Sequence, residues 1–240
     1  MIDESETSNG RKAGALYLPL RFPQSAAAAH LHARERHRRP VCRDGVRHVA
    51  WGEQRGWQHL KMNPWGETPT LVLADGSFLS ETSAIARYLD DSFEGRKIMG
   101  QTPIERGLDQ MWDNRVWVHI LYPIVTAFHV LHQGLGPKLE LTHNPAWGEH
   151  SRKVALAHAA LVDRHFADGR AWLLGGDHPT FSDITLATAI AFSKYPVNAT
   201  PLDERFEHID AFWRRWQTRP AFMAAYADGQ SGVPELDDRP

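Results

Sequence analysis

The sequence predicts a small α/β domain followed by a larger all-α domain. Residues 70–89 show a hairpin pattern that runs directly into a helical one, whereas beyond residue 103 apolar side chains recur three to four positions apart. Residues 92–103 are rich in Gly, Arg, Lys and Pro and show neither the strand pattern nor the helical spacing of apolar residues. We therefore expect domains at 15–92 and 103–228, a linker at 93–102, a disordered tail at 1–14 and a second tail at 229–240.

The hairpin prediction depends on residues 70–79. A turn-rich stretch at 62–66 comes before the β-rich run Thr-Leu-Val-Leu at 70–73, an Asp-Gly pair at 75–76 supplies a tight turn, and Phe-Leu resumes an extended pattern. Side chains able to cap a helix follow at residues 80–83, and apolar residues then return at helical spacing. We expect a helix from about Thr82 to Asp91.

The second domain contains only helical patterns. Strand-like alternation is absent after Pro103, and the apolar positions repeat with a period close to 3.6. The predicted helices span residues 104–133, 147–167, 181–193, 205–217 and 220–227.

Composition excludes several classes of protein. With 42% hydrophobic residues in 240, the chain can bury a sizeable core, yet no apolar run approaches the roughly 20 residues of a membrane span. A net charge of −2 provides no basic field for nucleic acid. The single cysteine, Cys42, rules out an intramolecular disulfide and fits a reducing cytoplasm. The polar, acidic start of the chain does not resemble a signal peptide.

Residues 68–69 and 81–82 together suit a small acidic peptide. If the Thr68–Pro69 bond is cis, the backbone N–H and C=O of Thr68 can pair with a peptide as an added strand. The N-terminus of the helix at Thr82 offers N–H groups, a hydroxyl and a positive dipole to a carboxylate. Glu81 can pair with an ammonium group. This combination matches the zwitterionic γ-glutamyl end of glutathione.

The same residues resemble the glutathione S-transferase family, in its bacterial-type cytosolic form. Asn-Pro-Trp-Gly-Glu-Thr-Pro at 63–69 is similar to the family's Asn-Pro-x-Gly-x-(Val/Thr)-Pro segment, and residues 75–89 resemble its glutathione-site strand and helix. The resemblance covers about residues 53–225. It implies a thioredoxin-like domain followed by a helical bundle, and it places Thr68, Pro69, Glu81 and Thr82 at the site of glutathione, the co-substrate.

The resemblance also assigns the segments that follow. Residues 175–187 resemble a buried Ser/Thr-x-x-Asp capping box, in which Thr180 and Asp183 close a helix end and serve folding. The first long helix of the second domain lines the electrophile pocket in this family, so Trp112 and Arg115 become pocket candidates. Core or dimer packing is the alternative for Trp112, because aromatic residues at helical spacing mostly fill cores. A homodimer is expected.

The N-terminal part of the chain departs from the family pattern. A strand, a helix and a second strand should precede Asn63, with a Ser, Cys or Tyr that activates the thiol. Leu16–Leu18 fits the first strand and Ser25 is the nominal activating hydroxyl, but residues 37–44 lack strand alternation. Either residues 15–52 are a divergent N-terminus, or about residues 20–52 come from a shifted reading frame, since 37–43 can be back-translated to read Thr-Asp-Val-Pro-Tyr-Val one base over.

Two functions follow from this sequence. The first is an enzyme that binds glutathione and directs its thiolate to a small hydrophobic electrophile or a peroxide, with Ser25 as the thiolate's hydrogen-bond donor. The second is a non-catalytic binding module that keeps the scaffold with an impaired thiol-activating site. A thiol-disulfide oxidoreductase is disfavoured because no Cys-x-x-Cys exists. No metal site is expected, because the paired histidines lack Cys or carboxylate partners at zinc-ligand spacing.

Overall fold

The computed structural model describes residues 16–17, 55–73, 75–93, 95–131, 144–194, 200–220 and 222. The chain divides into two compact units. Of the described residues, 16–17 and 55–85 belong to the first unit and those from 86 to 222 belong to the second. Ser25, Cys42 and the rest of the atypical N-terminal segment lie outside the described residues, apart from the backbone of residues 16–17.

The described residues of the first unit include a three-stranded antiparallel sheet. Its strands are β1 (Leu16–Tyr17), β2 (Thr70–Val72) and β3 (Phe78–Ser80), in the order β1-β2-β3. The turn between β2 and β3 closes because Gly76 adopts a φ of 85°, which only glycine reaches without strain. The Leu73 N–H donates to the Ser77 carbonyl at 2.8 Å across that turn. The predicted hairpin is thereby confirmed.

Among the residues that the structure describes, two helices accompany this sheet. Helix α1 (Trp57–Met62) comes before the loop that leads into β2, and helix α2 (Thr82–Ser92) follows β3. The start of α2 agrees with the predicted Thr82. The division between the two compact units falls inside α2, between Ile85 and Ala86.

The described part of the second unit is helical. A continuous helical run comprises α3 (Pro103–Val116), a π-helical turn (Trp117–Leu121) and α4 (Tyr122–Leu131). It is followed by α5 (Pro145–Phe166), α6 (Phe181–Ser193) and α7 (Glu207–Gln217). These helices confirm four of the predicted ones to within two residues at each described end. Of the fifth, 220–227, only residues 220 and 222 are described.

The core of the second unit surrounds α6. Nearly every side chain of α6 is buried, which is typical of a helix enclosed by others. Its neighbours contribute buried apolar residues from α3, the π-helical turn, α4, α5 and α7, among them Val116, Ile120, Ile124, Ala159 and Phe212. Helices α4 and α5 approach so closely at Gly148 that a Cβ there would lie 2.7 Å from Leu131 Cγ. Among the described helices, none is long and apolar enough to cross a bilayer.

Buried carboxylates join α3 to α6. Asp109 accepts a hydrogen bond from the Ser182 N–H at 2.9 Å, and Asp113 accepts one from the Thr185 hydroxyl at 2.6 Å. Burial raises the pKa of both aspartates above the ordinary value, because the charged form loses solvation. Each carboxylate therefore requires its donor on α6, which fixes the axial position of one helix against the other.

The capping box predicted for α6 is present. The Asp183 carboxylate is fully buried and accepts from the Thr180 N–H and the Leu173 N–H, both at 2.8 Å. The Leu173 bond extends the motif to the loop preceding the helix, so one side chain secures both the helix end and that loop. Desolvation outweighs these hydrogen bonds and raises the pKa of Asp183 to about 7.

The segment between α2 and α3, predicted as a linker, is held in place within the second unit. The Asp90 carboxylate accepts hydrogen bonds from the Ile98 N–H at 2.8 Å and the Met99 N–H at 3.2 Å, and both apolar side chains are buried. Gly100 follows with a φ of 97°, where a Cβ would lie 2.6 Å from a backbone nitrogen of α3. This connection is therefore a packed turn.

Candidate functional site

The loop before β2 is held by side chains of α1 and its end. Asn63, 3% exposed, donates from Nδ2 to the Glu67 carbonyl at 2.8 Å and accepts at Oδ1 from the Trp65 N–H at 3.2 Å. His59, also 3% exposed, contacts the same Glu67 carbonyl through Nε2 at 2.8 Å. The sequence pattern did not single out His59. Its signal is the spacing of four residues from Asn63, which places both side chains on one face of a helix.

Thr68 and Pro69 connect this loop to β2. Their peptide bond is cis, as predicted from the sequence. Pro69 is buried and Thr68 is half-buried. Among the described residues, neither the N–H nor the C=O of the Thr68 backbone has a hydrogen-bond partner. Both groups therefore remain available to an extended peptide.

Glu81 lies between β3 and α2 in a strained conformation. Its φ is 71°, and it is the only residue other than glycine with a positive φ in the described part of the chain. Such a conformation costs on the order of 1–3 kcal/mol and is concentrated at functional sites. Helix α2 begins at the half-buried Thr82. As at any helix start, its first backbone N–H groups have no carbonyl of a preceding turn to bond. The exposed Glu81 carboxylate and the amide end of α2 are thus adjacent.

The sheet register brings these four predicted site residues together. Thr70 of β2 pairs directly with Ser80 of β3 in an antiparallel ladder. Pro69, the residue before Thr70, therefore stands beside Glu81, the residue after Ser80. Thr68 and Thr82 continue from the same end of the hairpin. A peptide backbone, a carboxylate and an ammonium group can all be bound at this one end of the sheet.

The two pocket candidates lie in the second unit. Trp112 packs against its apolar core, with its ring centroid 4.2 Å from that of His165 on α5. The Arg115 guanidinium lies 4.9 Å from the centre of the Trp112 ring, a cation–π contact. Trp112 thus has a packing role, as the alternative interpretation supposed, while Arg115 is exposed. No group of three potential metal ligands occurs among the residues that the structure describes.

Together, the hairpin, its open amide groups and the helical second unit define a thioredoxin-like domain followed by an all-helical domain. Models of the glutathione S-transferase N-terminal and C-terminal domains match residues 30–92 and 145–228. The chain belongs to the glutathione S-transferase family.

Individual relatives agree with this assignment. Glutathione S-transferase 2 of Saccharomyces cerevisiae is 32% identical over 177 residues, which cover 73% of this chain and 74% of the relative. Glutathione S-transferase GstA of Escherichia coli O157:H7 is 28% identical over 72% of this chain and 78% of its own length. The crystal structure of Gtt2 from Saccharomyces cerevisiae superposes with a TM-score of 0.78 at 28% identity, covering 88% of this chain and 99% of that structure.

Proposed function

We propose that this chain is a glutathione transferase that conjugates the thiolate of glutathione to a small hydrophobic electrophile, or uses it to reduce a peroxide. The observation that carries the proposal is the pairing of Thr70 with Ser80. Because of it, a peptide-binding backbone edge and a helix N-terminus beside a carboxylate occur at one end of the hairpin. Glutathione contains a matching peptide backbone, carboxylate and ammonium group.

Each contact in this proposal has a chemical partner. The open N–H and C=O of Thr68 pair with the cysteinyl backbone of glutathione. The γ-glutamyl carboxylate accepts from the Thr82 hydroxyl and the amide end of α2, and the γ-glutamyl ammonium pairs with Glu81. In conjugation, the thiol proton passes to solvent, the sulfur forms a bond to carbon, and the leaving group departs with its electron pair. The proposed donor to the thiolate is Ser25.

The second half of the proposal concerns the electrophile and the assembly. Of the two pocket candidates, Arg115 remains the proposed contact of the electrophile, because its side chain is exposed whereas Trp112 packs against the core of the second unit. Exposed aromatic side chains follow at Trp117 (43%) and Tyr122 (56%), whose rings are 6.4 Å apart. This aromatic surface supports a homodimer. A single cysteine in 240 residues supports a reducing, cytoplasmic setting. A role in detoxification follows from the proposed conjugation of electrophiles.

A non-catalytic glutathione-binding module is the second candidate, favoured by the atypical sequence that precedes residue 30, where the match to the family's N-terminal domain begins. Both candidates require the site at Thr68, Pro69, Glu81 and Thr82, but only the enzyme requires a thiol-activating residue. Calorimetric titration with glutathione, followed by a conjugation assay with a chlorodinitrobenzene, separates the two. Tight binding without turnover would select the module.

Variants test the site itself. Thr82→Ala removes one hydrogen bond to a charged group, a loss of roughly 1.5–3 kcal/mol, so glutathione affinity should fall about ten- to a hundredfold. Glu81→Gln should weaken binding by removing the charge pair, and Ser25→Ala should lower turnover more than affinity. Ser92→Ala, which removes a half-buried hydroxyl at the opposite end of α2, is the matched control. Unchanged affinity in both the Thr82 and the Glu81 variants would show that the site is elsewhere.

A further inference from the structure

We propose that His59 and Asn63 are positioning residues that aim the backbone N–H of Thr68 at bound glutathione. This inference rests on the proposed function, because it concerns the same site. Neither side chain is assigned contact with the ligand. Both act through a single atom, the carbonyl oxygen of Glu67, which belongs to the same peptide group as the Thr68 N–H.

The Glu67 carbonyl receives two hydrogen bonds from buried donors. His59 Nε2 and Asn63 Nδ2 each lie 2.8 Å from it, and both residues are only 3% exposed. A carbonyl oxygen can only accept, so His59 Nε2 carries a hydrogen. Because a carbonyl has two lone pairs, the two donors use its full capacity. The position of this oxygen is thereby fixed from the protein side.

Fixing that oxygen fixes the direction of the next amide. The Glu67–Thr68 peptide is trans, and in a planar trans peptide the C=O and the N–H point in opposite directions. With the Glu67 carbonyl held against α1 and its end, the Thr68 N–H must point away from them. That N–H has no hydrogen-bond partner among the described residues. His59 and Asn63 thus form a clamp on the Glu67 carbonyl, and this clamp presents one open donor in a set direction.

The clamp is itself rigidly supported. The Asn63 N–H donates to the His59 carbonyl at 2.8 Å, and the Asn63 carbonyl accepts from the Gly66 N–H at 2.9 Å. Asn63 Oδ1 accepts from the Trp65 N–H, so its amide group can face Glu67 only with Nδ2. His59 Nδ1 is buried and has no hydrogen-bond partner in the described part of the chain. The ring therefore acts on this loop through Nε2 alone.

Because His59 acts through Nε2 alone, a conservative replacement needs only a hydrogen-bond donor at that position. Glutamine can place an amide N–H near the position of Nε2, whereas phenylalanine keeps the ring volume and has no donor. His59→Phe should raise the Kd and the KM for glutathione about five- to twentyfold, with kcat at saturating glutathione close to wild type. His59→Gln should restore most of the affinity. Asn63→Ala should weaken binding in the same way, and Gln58→Ala, an exposed position on α1, should leave it unchanged.

The experiment is calorimetric titration of the full chain and its variants with glutathione, with circular dichroism to verify folding. Hydrogen exchange of the Thr68 amide in the wild-type chain provides a readout that does not depend on a variant's stability: adding glutathione should slow it markedly. Wild-type affinity in His59→Phe, equal loss in the Phe and Gln variants, or unchanged Thr68 exchange at saturating glutathione would each overturn the inference. No binding by the wild type would instead refute the proposed function.

Discussion

Replacing Asp183 by alanine should destabilise the helical domain strongly. The carboxylate is fully buried and accepts from the Leu173 and Thr180 N–H groups, both at 2.8 Å. Alanine removes the acceptor and leaves both donors without a partner. Each buried unsatisfied donor costs about 1–3 kcal/mol, so the substitution should lower the free energy of unfolding by about 2–6 kcal/mol. The whole free energy of unfolding of a native protein is only about 5–15 kcal/mol.

Thermal unfolding followed by circular dichroism measures this effect. For a chain of this size, 1 kcal/mol corresponds to about 2–4 °C, so the midpoint should fall by about 4–24 °C. Asp168→Ala is the matched control, because Asp168 also accepts hydrogen bonds, from Arg170, but is exposed. Its midpoint should change far less. A shift for Asp183→Ala no larger than that of the control would refute the reasoning.

Three further predictions concern stability and assembly. Gly148→Ala should lower the free energy of unfolding by about 1–3 kcal/mol, because its Cβ would lie 2.7 Å from Leu131. Gly107→Ala should raise it by about 0.5–1 kcal/mol, because a Cβ at this position in α3 has nothing within 4 Å. Urea unfolding measures both, and equal effects would contradict this. Burial raises the pKa of Asp183 to about 7, above the ordinary 3.8, so its contribution to stability should decline as pH rises from about 4 to 7. Urea unfolding of Asp183→Asn should lack that decline, and parallel pH profiles of the variant and the wild type would count against the prediction. Light scattering at micromolar concentration should give the mass of a dimer, and a monomer would refute the homodimer.

Local signals in the sequence were sufficient for much of the fold. The Asp-Gly pair at 75–76 predicted the hairpin because few residues besides glycine adopt the positive φ its turn requires. Helix α6 matches its predicted bounds because Thr180 and Asp183 mark its start and the apolar period marks its length. The motif at 63–69 also predicted the cis bond at Pro69. In each case the residues that determine the structure are neighbours in the chain.

Contacts between distant residues could not be predicted in this way. Asp109 and Asp113 accept hydrogen bonds from residues more than 70 positions later in the chain, and nothing in a helical period reveals which carboxylates will be buried. The π-helical turn at 117–121 interrupts a run that reads as one continuous helix. The sequence did not single out His59, because its role depends on a loop whose backbone direction the sequence does not specify.

One measurement tests the central claim most directly: calorimetric titration of the full chain with glutathione and, in parallel, with cysteinylglycine. The dipeptide keeps the backbone that would pair with Thr68 but lacks the γ-glutamyl carboxylate and ammonium groups assigned to Thr82 and Glu81. We expect glutathione to bind and the dipeptide to bind at least about tenfold more weakly, because its charge-assisted hydrogen bonds are lost. Equal affinity for the two peptides, or no detectable binding of glutathione, would contradict the account.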